Sequence, residues 1–176
     1  MRVIAGSLGG RNFSSPRTHR THPMSDKVRG ALFNMLGDLN NLSMLDAYAG
    51  SGACSIEAVS RGAKHVLAID IDRDAVKTIT ENVRLLGLGS DIAIKQANIN
   101  GWLRNQPAEQ FDIVLADPPY DAIKPDTLRQ LATLVRSDGV FAISWPGGEP
   151  VQEFAGFTVV GHKAYGDAEL IFYRRT

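Results

Sequence analysis

From Ser43 onward, short apolar runs alternate with amphipathic stretches, and this alternation limits the fold more than any other feature of the chain. Met44–Tyr48, His65–Asp70, Ile92–Gln96, Phe111–Asp117 and Val140–Trp145 read as five strands. Between them, Ala53–Arg61, Arg73–Leu86 and Pro125–Val135 read as helices. In the second of these, Val76, Ile79, Val83 and Leu86 share one face. Pro125 suits a first helical turn. Phe157–Ala164 and Ala168–Arg174 read as a closing antiparallel pair around Gly166. Strands and helices in strict alternation imply a mostly parallel, doubly wound α/β sheet.

The first 37 residues differ in style. Arg2–Gly6 and Arg11–Ser14 flank a turn signal, Ser7-Leu8-Gly9-Gly10. A polar loop follows, and then a helix begins at Ser25, an N-cap type, with Asp26 in its first turn and Gly37 as its stop. The reading is therefore an extension over residues 1–37, made of hairpin, basic loop and leading helix, and a main domain over 38–176. Net charge is zero over 176 residues, yet residues 1–29 carry six basic side chains (Arg2, Arg11, Arg17, Arg20, Lys27, Arg29) against Asp26 alone. Such asymmetry suggests a basic arm for a polyanion; a solvated hairpin face would look the same.

At 44% hydrophobic the chain can bury a sizeable core. It holds no run of about 18 apolar residues, so no membrane span is expected. The start, Met1-Arg2-Val3-Ile4-Ala5-Gly6, lacks the apolar centre of a signal peptide, and Cys54 is the sole cysteine. A cytoplasmic protein is the expectation. His19, His22, His65 and His162 lack metal-like spacing, so no metal is expected.

Chemistry gathers at strand ends. Asp117-Pro118-Pro119-Tyr120 follows the fourth strand. The prolines fix φ and remove two donors, leaving carbonyls to accept beside a ring. That combination suits a planar substrate bearing an amino group; alone, it also reads as a turn. Asp46-Ala47-Tyr48-Ala49-Gly50-Ser51-Gly52 follows the first strand, where Gly50 and Gly52 let a ligand approach the backbone. Ser55 stands where a dinucleotide fingerprint needs glycine, so a pyrophosphate cradle is disfavoured. Asp46 could accept from an ammonium group. Asp70, ending the second strand, could accept from a ribose diol, with Asp72 capping the next helix. Asn98, after the third strand, could pair with an adenine edge or simply form an Asx turn. Cys54, Trp102 and Trp145 read as core.

In this order and spacing the motifs resemble a class I S-adenosylmethionine-dependent N-methyltransferase. Met1–Gly6, Gly10-Arg11, the stretch Thr21–Asn34 and Tyr165-Gly166 make the chain similar, over nearly its whole length, to bacterial 16S ribosomal RNA guanine-N2 methyltransferases of the RsmD type. It departs from that pattern at His22, Met24 and Gly30. The resemblance implies a Rossmann-like seven-stranded sheet and a likeness in role residue by residue. Asp46, Tyr48, Ala49, Gly50, Gly52, Asp70, Ile71, Asn98, Ile99 and Asp117 would hold S-adenosylmethionine. Asp117, Pro118 and Tyr120 would hold the target guanine. Arg11, Arg17, Arg20, Lys27 and Arg29 would hold 16S ribosomal RNA, within an assembled or assembling small subunit, and the protein would act as a monomer. Adenine-N6 methylation, hydride transfer with NAD, and a non-catalytic ribosome assembly role are the competing readings. Little room for a target-recognition domain speaks against the first, and Ser55 against the second.

Overall fold

A computed structural model describes residues 1–15, 24–105, 109–122 and 124–176. Helices α1 (Asp26–Leu36), α2 (Ala53–Ser60), α3 (Arg73–Leu86), α4 (Ile99–Asn105) and α5 (Pro125–Thr133) surround one sheet. Its strands are β1 (Ser43–Asp46), β2 (His65–Asp70), β3 (Ile92–Gln96), β4 (Phe111–Ala116), β5 (Val135–Pro146), β6 (Phe157–Tyr165) and β7 (Ala168–Arg175). They lie in the order β3-β2-β1-β4-β5-β7-β6. The first five are parallel; β7 runs antiparallel to β5 and β6 to β7. The expected doubly wound sheet with a closing antiparallel pair is present.

The chain leaves β1 for β2 and β3 on one side and returns to β4 on the other. A crevice therefore opens between β1 and β4 at the carboxyl ends of the strands, where such sheets bind ligands. Two apolar layers fix the sheet between its helices. One joins Val3, Phe13, Leu32 and Phe33 from the N-terminal part to Ile56 of α2, Ile79 and Val83 of α3, and the sheet residues Met44 and Leu115. The other joins Leu128 and Leu131 of α5 and Trp102 of α4 to Val114, Phe141 and Tyr173. Residues before β1 thus complete the core beneath the sheet.

Local signals explain the element boundaries. Ser25 Oγ accepts from the Val28 N–H at the start of α1, and Gly37 ends it at φ 80°. Asp72 caps α3 through the Asp74 and Ala75 N–H groups. The N-terminal turn forms a single antiparallel bridge, Arg2 to Asn12, in place of two full strands. The largest departures from the sequence reading are at α4 and β5, while α5, read through Val135, ends at Thr133 and β1, read to Tyr48, ends at Asp46. α4 is absent from that reading: its seven residues, Ile-Asn-Gly-Trp-Leu-Arg-Asn, contain a glycine and show under two turns of periodicity. β5 begins at Val135, five residues early, because Val135 pairs with Phe111 before an irregularity at Asp138, where φ is 62°.

Candidate active site

Three carboxylates come together at the carboxyl edge of the central strands. Asp46 ends β1, Asp70 ends β2 and Asp117 follows β4. Asp46 is buried, and Ser55 Oγ of α2 donates to its Oδ2 at 2.7 Å. Burial, with the charges of Asp117 and Asp70, pushes its carboxyl up to about 7 against the Ser55 hydrogen bond. Burial likewise raises Asp117, opposed by a hydrogen bond from Ser144. Acids that repel one another in a crevice suit a ligand that brings positive charge.

The loop between β1 and α2 is tied to Asp70. Gly50 N–H donates to Asp70 Oδ2 at 2.7 Å, and Asp72 N–H to Oδ1 at 2.8 Å. Gly50 and Gly52 hold φ of 53° and 77°. At Gly52 a Cβ would also press on Ile79 at 3.1 Å, so glycine there serves both conformation and packing. Ala49 is buried and anchored by its N–H to Ile69 O at 2.9 Å. Tyr48 is partly buried, which pushes its phenol up to about 12. Beyond Asp70, the Ile71 side chain is 62% exposed, an apolar surface beside the carboxylate.

Asn98 has its Oδ1 engaged by the Asn100 and Gly101 N–H groups, at 3.0 and 3.2 Å. The Asx-turn account holds for that oxygen, which starts α4. The amide Nδ2 makes no hydrogen bond among the described residues. Ile99, next to it, is buried. Asn98 also lines a groove of about 400 Å³ with Lys95, Ala97, Gly101, Trp102 and Asn105 on the outer flank of β3.

Asp117-Pro118-Pro119-Tyr120 turns away from the end of β4, with Pro118 buried and Tyr120 40% exposed. The Tyr120 hydroxyl lies 2.9 Å from Ser144 Oγ of β5. This bond fixes the phenol edge and leaves ring surface open. Partial burial raises the Tyr120 phenol, Ser144 opposes it, and the charges of Asp117 and Asp167 add to the rise. Ser144 acts on both Asp117 and Tyr120, a position absent from the sequence reading. No local motif marks it; only the register of β4 against β5 brings it there.

The basic residues separate. Arg11 and Lys27 are exposed, while Arg17 and Arg20 lie outside the described residues. Arg29 is not a surface cation and cannot take RNA phosphate. It is fully buried, donating to Arg2 O at 2.6 Å and Asp26 Oδ1 at 2.8 Å, with Glu57 Oε2 3.9 Å from its Nε. The spacing that places it one turn after Ser25 also points it under the N-terminal segment. Glu57 carries no role in the sequence reading. It is buried in α2 and accepts from the Ile4 and Ala5 N–H groups and from Arg61. Cys54 is buried, and burial pushes its thiol up; Trp102 and Trp145 are buried, as expected. Among the described residues no cluster of metal-ligating side chains occurs, and no helix is long and apolar enough to cross a membrane.

Comparison with known proteins places this geometry among relatives. Residues 1–174 match the family described as conserved hypothetical protein 95. The chain is 31% identical to Bacillus subtilis YlbH, a candidate rRNA methyltransferase by its name, over 99% of both chains. It is 31% identical to the Escherichia coli ribosomal RNA small subunit methyltransferase D, over 81% of this chain and 70% of that protein. The solved structure of Escherichia coli yhhF, described as a methyltransferase candidate, superimposes with a TM-score of 0.89 at 26% identity, covering 99% of this chain and 97% of that one.

Proposed function

This chain belongs to the conserved hypothetical protein 95 family, that of the ribosomal RNA small subunit methyltransferases D, and from that premise we propose that it methylates the exocyclic N2 amine of a guanine in small-subunit ribosomal RNA. The class I methyltransferase fold and the relatives support S-adenosylmethionine as the donor. The observation that carries the reading is the convergence of Asp46, Asp70 and Asp117 beside Tyr120. Such a set fits a donor that is cationic at one end and carries a ribose diol.

When bound, the donor supplies a methyl group on a sulfonium, which is its own leaving group. Asp46 would hold the ammonium end, and Asp70 the ribose hydroxyls, its carboxylate already oriented by Gly50 and Asp72. Ile71 and Asn98 would flank the adenine, the first by apolar surface and the second through its Nδ2. Asp117 Oδ and the Pro118 carbonyl would accept the two N–H groups of the target amine. That alignment turns a delocalised lone pair toward the methyl carbon; positioning of this kind supplies several kcal/mol of a barrier. The amine sheds a proton once methylated, and Asp117, whose carboxyl is raised by burial, would accept it. Tyr120, held by Ser144, would stack on a base drawn out of its helix.

The test is methyl transfer from radiolabelled S-adenosylmethionine to unmodified small subunits and to protein-free 16S ribosomal RNA, followed by digestion to nucleosides. N2-methylguanosine is expected, with the assembled or assembling subunit the better acceptor. Label in N6-methyladenosine would overturn the guanine assignment, and no label in either RNA would overturn the substrate.

A further inference from the structure

The β6–β7 hairpin and the start of α1 enclose a cleft of about 550 Å³ that none of the donor-site residues line. Ser25, Lys27 and Val28 form one wall; Lys163, Tyr165 and Gly166 form the other. Its shape follows from packing. A Cβ on Gly161 of β6 would come within 2.7 Å of the Met35 Cε of α1, so helix and strand are in tight contact there. Alternation along the strand puts Gly161, Lys163 and Tyr165 on that same face. Toward its N-terminus α1 meets longer side chains, and the cleft opens between Val28 and Tyr165.

The cleft is positive. The Lys163 Nζ lies 5.6 Å from the Tyr165 ring centroid. Neither Lys27 nor Lys163 is ion-paired among the described residues. The neighbouring acid Asp26 is turned to Arg29, and Glu169 to His162. The Tyr165 hydroxyl is buried without a hydrogen-bond partner. The first turn of α1 adds the positive end of its dipole. A cavity of this size takes a small molecule rather than a bare anion.

Position joins the cleft to the active site. Pro146 at the end of β5 pairs with Ala168 at the start of β7, so the β6–β7 turn lies at the carboxyl edge of the parallel strands. Asp167 of that turn is near enough to Tyr120 for its charge to act on the phenol. A polyanion whose base occupied the Asp117–Tyr120 turn would carry its next phosphate past this hairpin.

We infer that the cleft holds the nucleotide adjacent to the target base, with Lys27 and Lys163 on its phosphodiester and the Tyr165 ring against its sugar. The inference rests on the RNA-methylation reading. It adds Lys163 and Tyr165 of the β6–β7 hairpin to Lys27 of the N-terminal segment, as a hold on the substrate that keeps the extruded base from retreating. Phosphate contacts of this kind position RNA without reading its sequence.

The test compares the parent with the double variants Lys27→Gln/Lys163→Gln and Lys27→Arg/Lys163→Arg, using unmodified small subunits as acceptor. The Gln pair should raise KM for the subunits by about tenfold and lower the salt slope of RNA affinity by roughly 0.7–0.9 for each phosphate no longer neutralised. Its affinity for S-adenosylmethionine should match the parent's, and the Arg pair should stay close to the parent throughout. A folded Gln pair with the parent's KM and salt slope would overturn the cleft while leaving the methylation reading intact. An Arg pair as impaired as the Gln pair would also overturn it, because charge would not be what the cleft supplies. A parent inactive on both subunits and rRNA would instead defeat the functional reading on which it rests.

Discussion

Burial and the charges of Asp117 and Asp70 keep the Asp46 carboxyl protonated up to about 7 instead of its ordinary 3.8. Between those values the folded chain holds a proton that the unfolded chain has shed. Stability attributable to Asp46 therefore falls as pH rises from about 4 to 7. Asp46→Asn should stabilise the free protein at pH 8, by up to roughly 4 kcal/mol at 1.36 kcal/mol per pKa unit. The gain should be smaller at pH 5. Urea unfolding at both values checks this, and an equal gain at both would sink it. A bound cation favours the ionised carboxylate, so donor affinity should rise from pH 5.5 to 7 in the parent and be weak and flat in Asp46→Asn. Asp70→Ala should lower donor affinity by about 1.5–3 kcal/mol, the worth of hydrogen bonds to a charged group; calorimetry with unchanged affinity would remove Asp70 from the pocket. Asp117→Ala should abolish transfer with donor still bound, whereas Asn, which still accepts, should retain partial activity. Tyr120→Phe removes only the Ser144 hydrogen bond and should be mild. Tyr120→Ala should be severe, since stacking is worth roughly 1–3 kcal/mol per base. Full activity in Asp117→Ala would displace the proposed chemistry from this turn.

At the scale of elements, the legible parts are those where a local signal and burial agree. β2, β3 and α3 match the sequence reading end to end, because each has a full period of apolar residues and a cap or turn at its boundary. α4 escapes notice because Trp102 and Ile99 are its only buried positions, too few to show a period. Arg29 misleads for a related reason: a basic residue on a short amphipathic helix looks like surface until the segment before it folds over. Glu57 makes that fold-over possible. As the one charge in the apolar helix Ala-Cys-Ser-Ile-Glu-Ala-Val-Ser it is the available signal. Its carboxylate takes the Ile4 and Ala5 N–H groups and two guanidinium groups, fastening the N-terminal segment to the helix that starts after the Gly50–Gly52 turn. Glu57→Ala would leave Arg29 buried without its carboxylate partner in α2. A loss of about 3–5 kcal/mol is expected for breaking a buried pair. Guanidinium unfolding measures it; a loss under about 1 kcal/mol would mean that Asp26 and water replace the carboxylate.

Across the whole molecule, the zero net charge conceals a division of labour. Acids gather at the strand ends where a cationic donor suits them, and six of the basic residues precede residue 30. The doubly wound sheet is legible because alternating elements permit few topologies, and the two turns after β1 and β4 are legible because glycine and proline mark them. What joins the turns is not: Ser144 and the α1–β6 cleft arise from pairings across 24 or more residues, which no local pattern records. The charge division can be tested directly. Arg11 is exposed, and Arg17 and Arg20 lie beyond the described residues. Replacing all three with glutamine removes charge far in sequence from Asp46, Asp70 and Asp117. RNA affinity should therefore fall and donor affinity should not. Counterion release sets the size of the effect: each phosphate that the arm ceases to neutralise should reduce the slope of log affinity against log salt by about 0.7–0.9. Filter binding of 16S ribosomal RNA across a salt series measures that slope. A triple variant with the parent's slope would make the arm a solvated surface and leave the RNA to be held by the sheet edge alone.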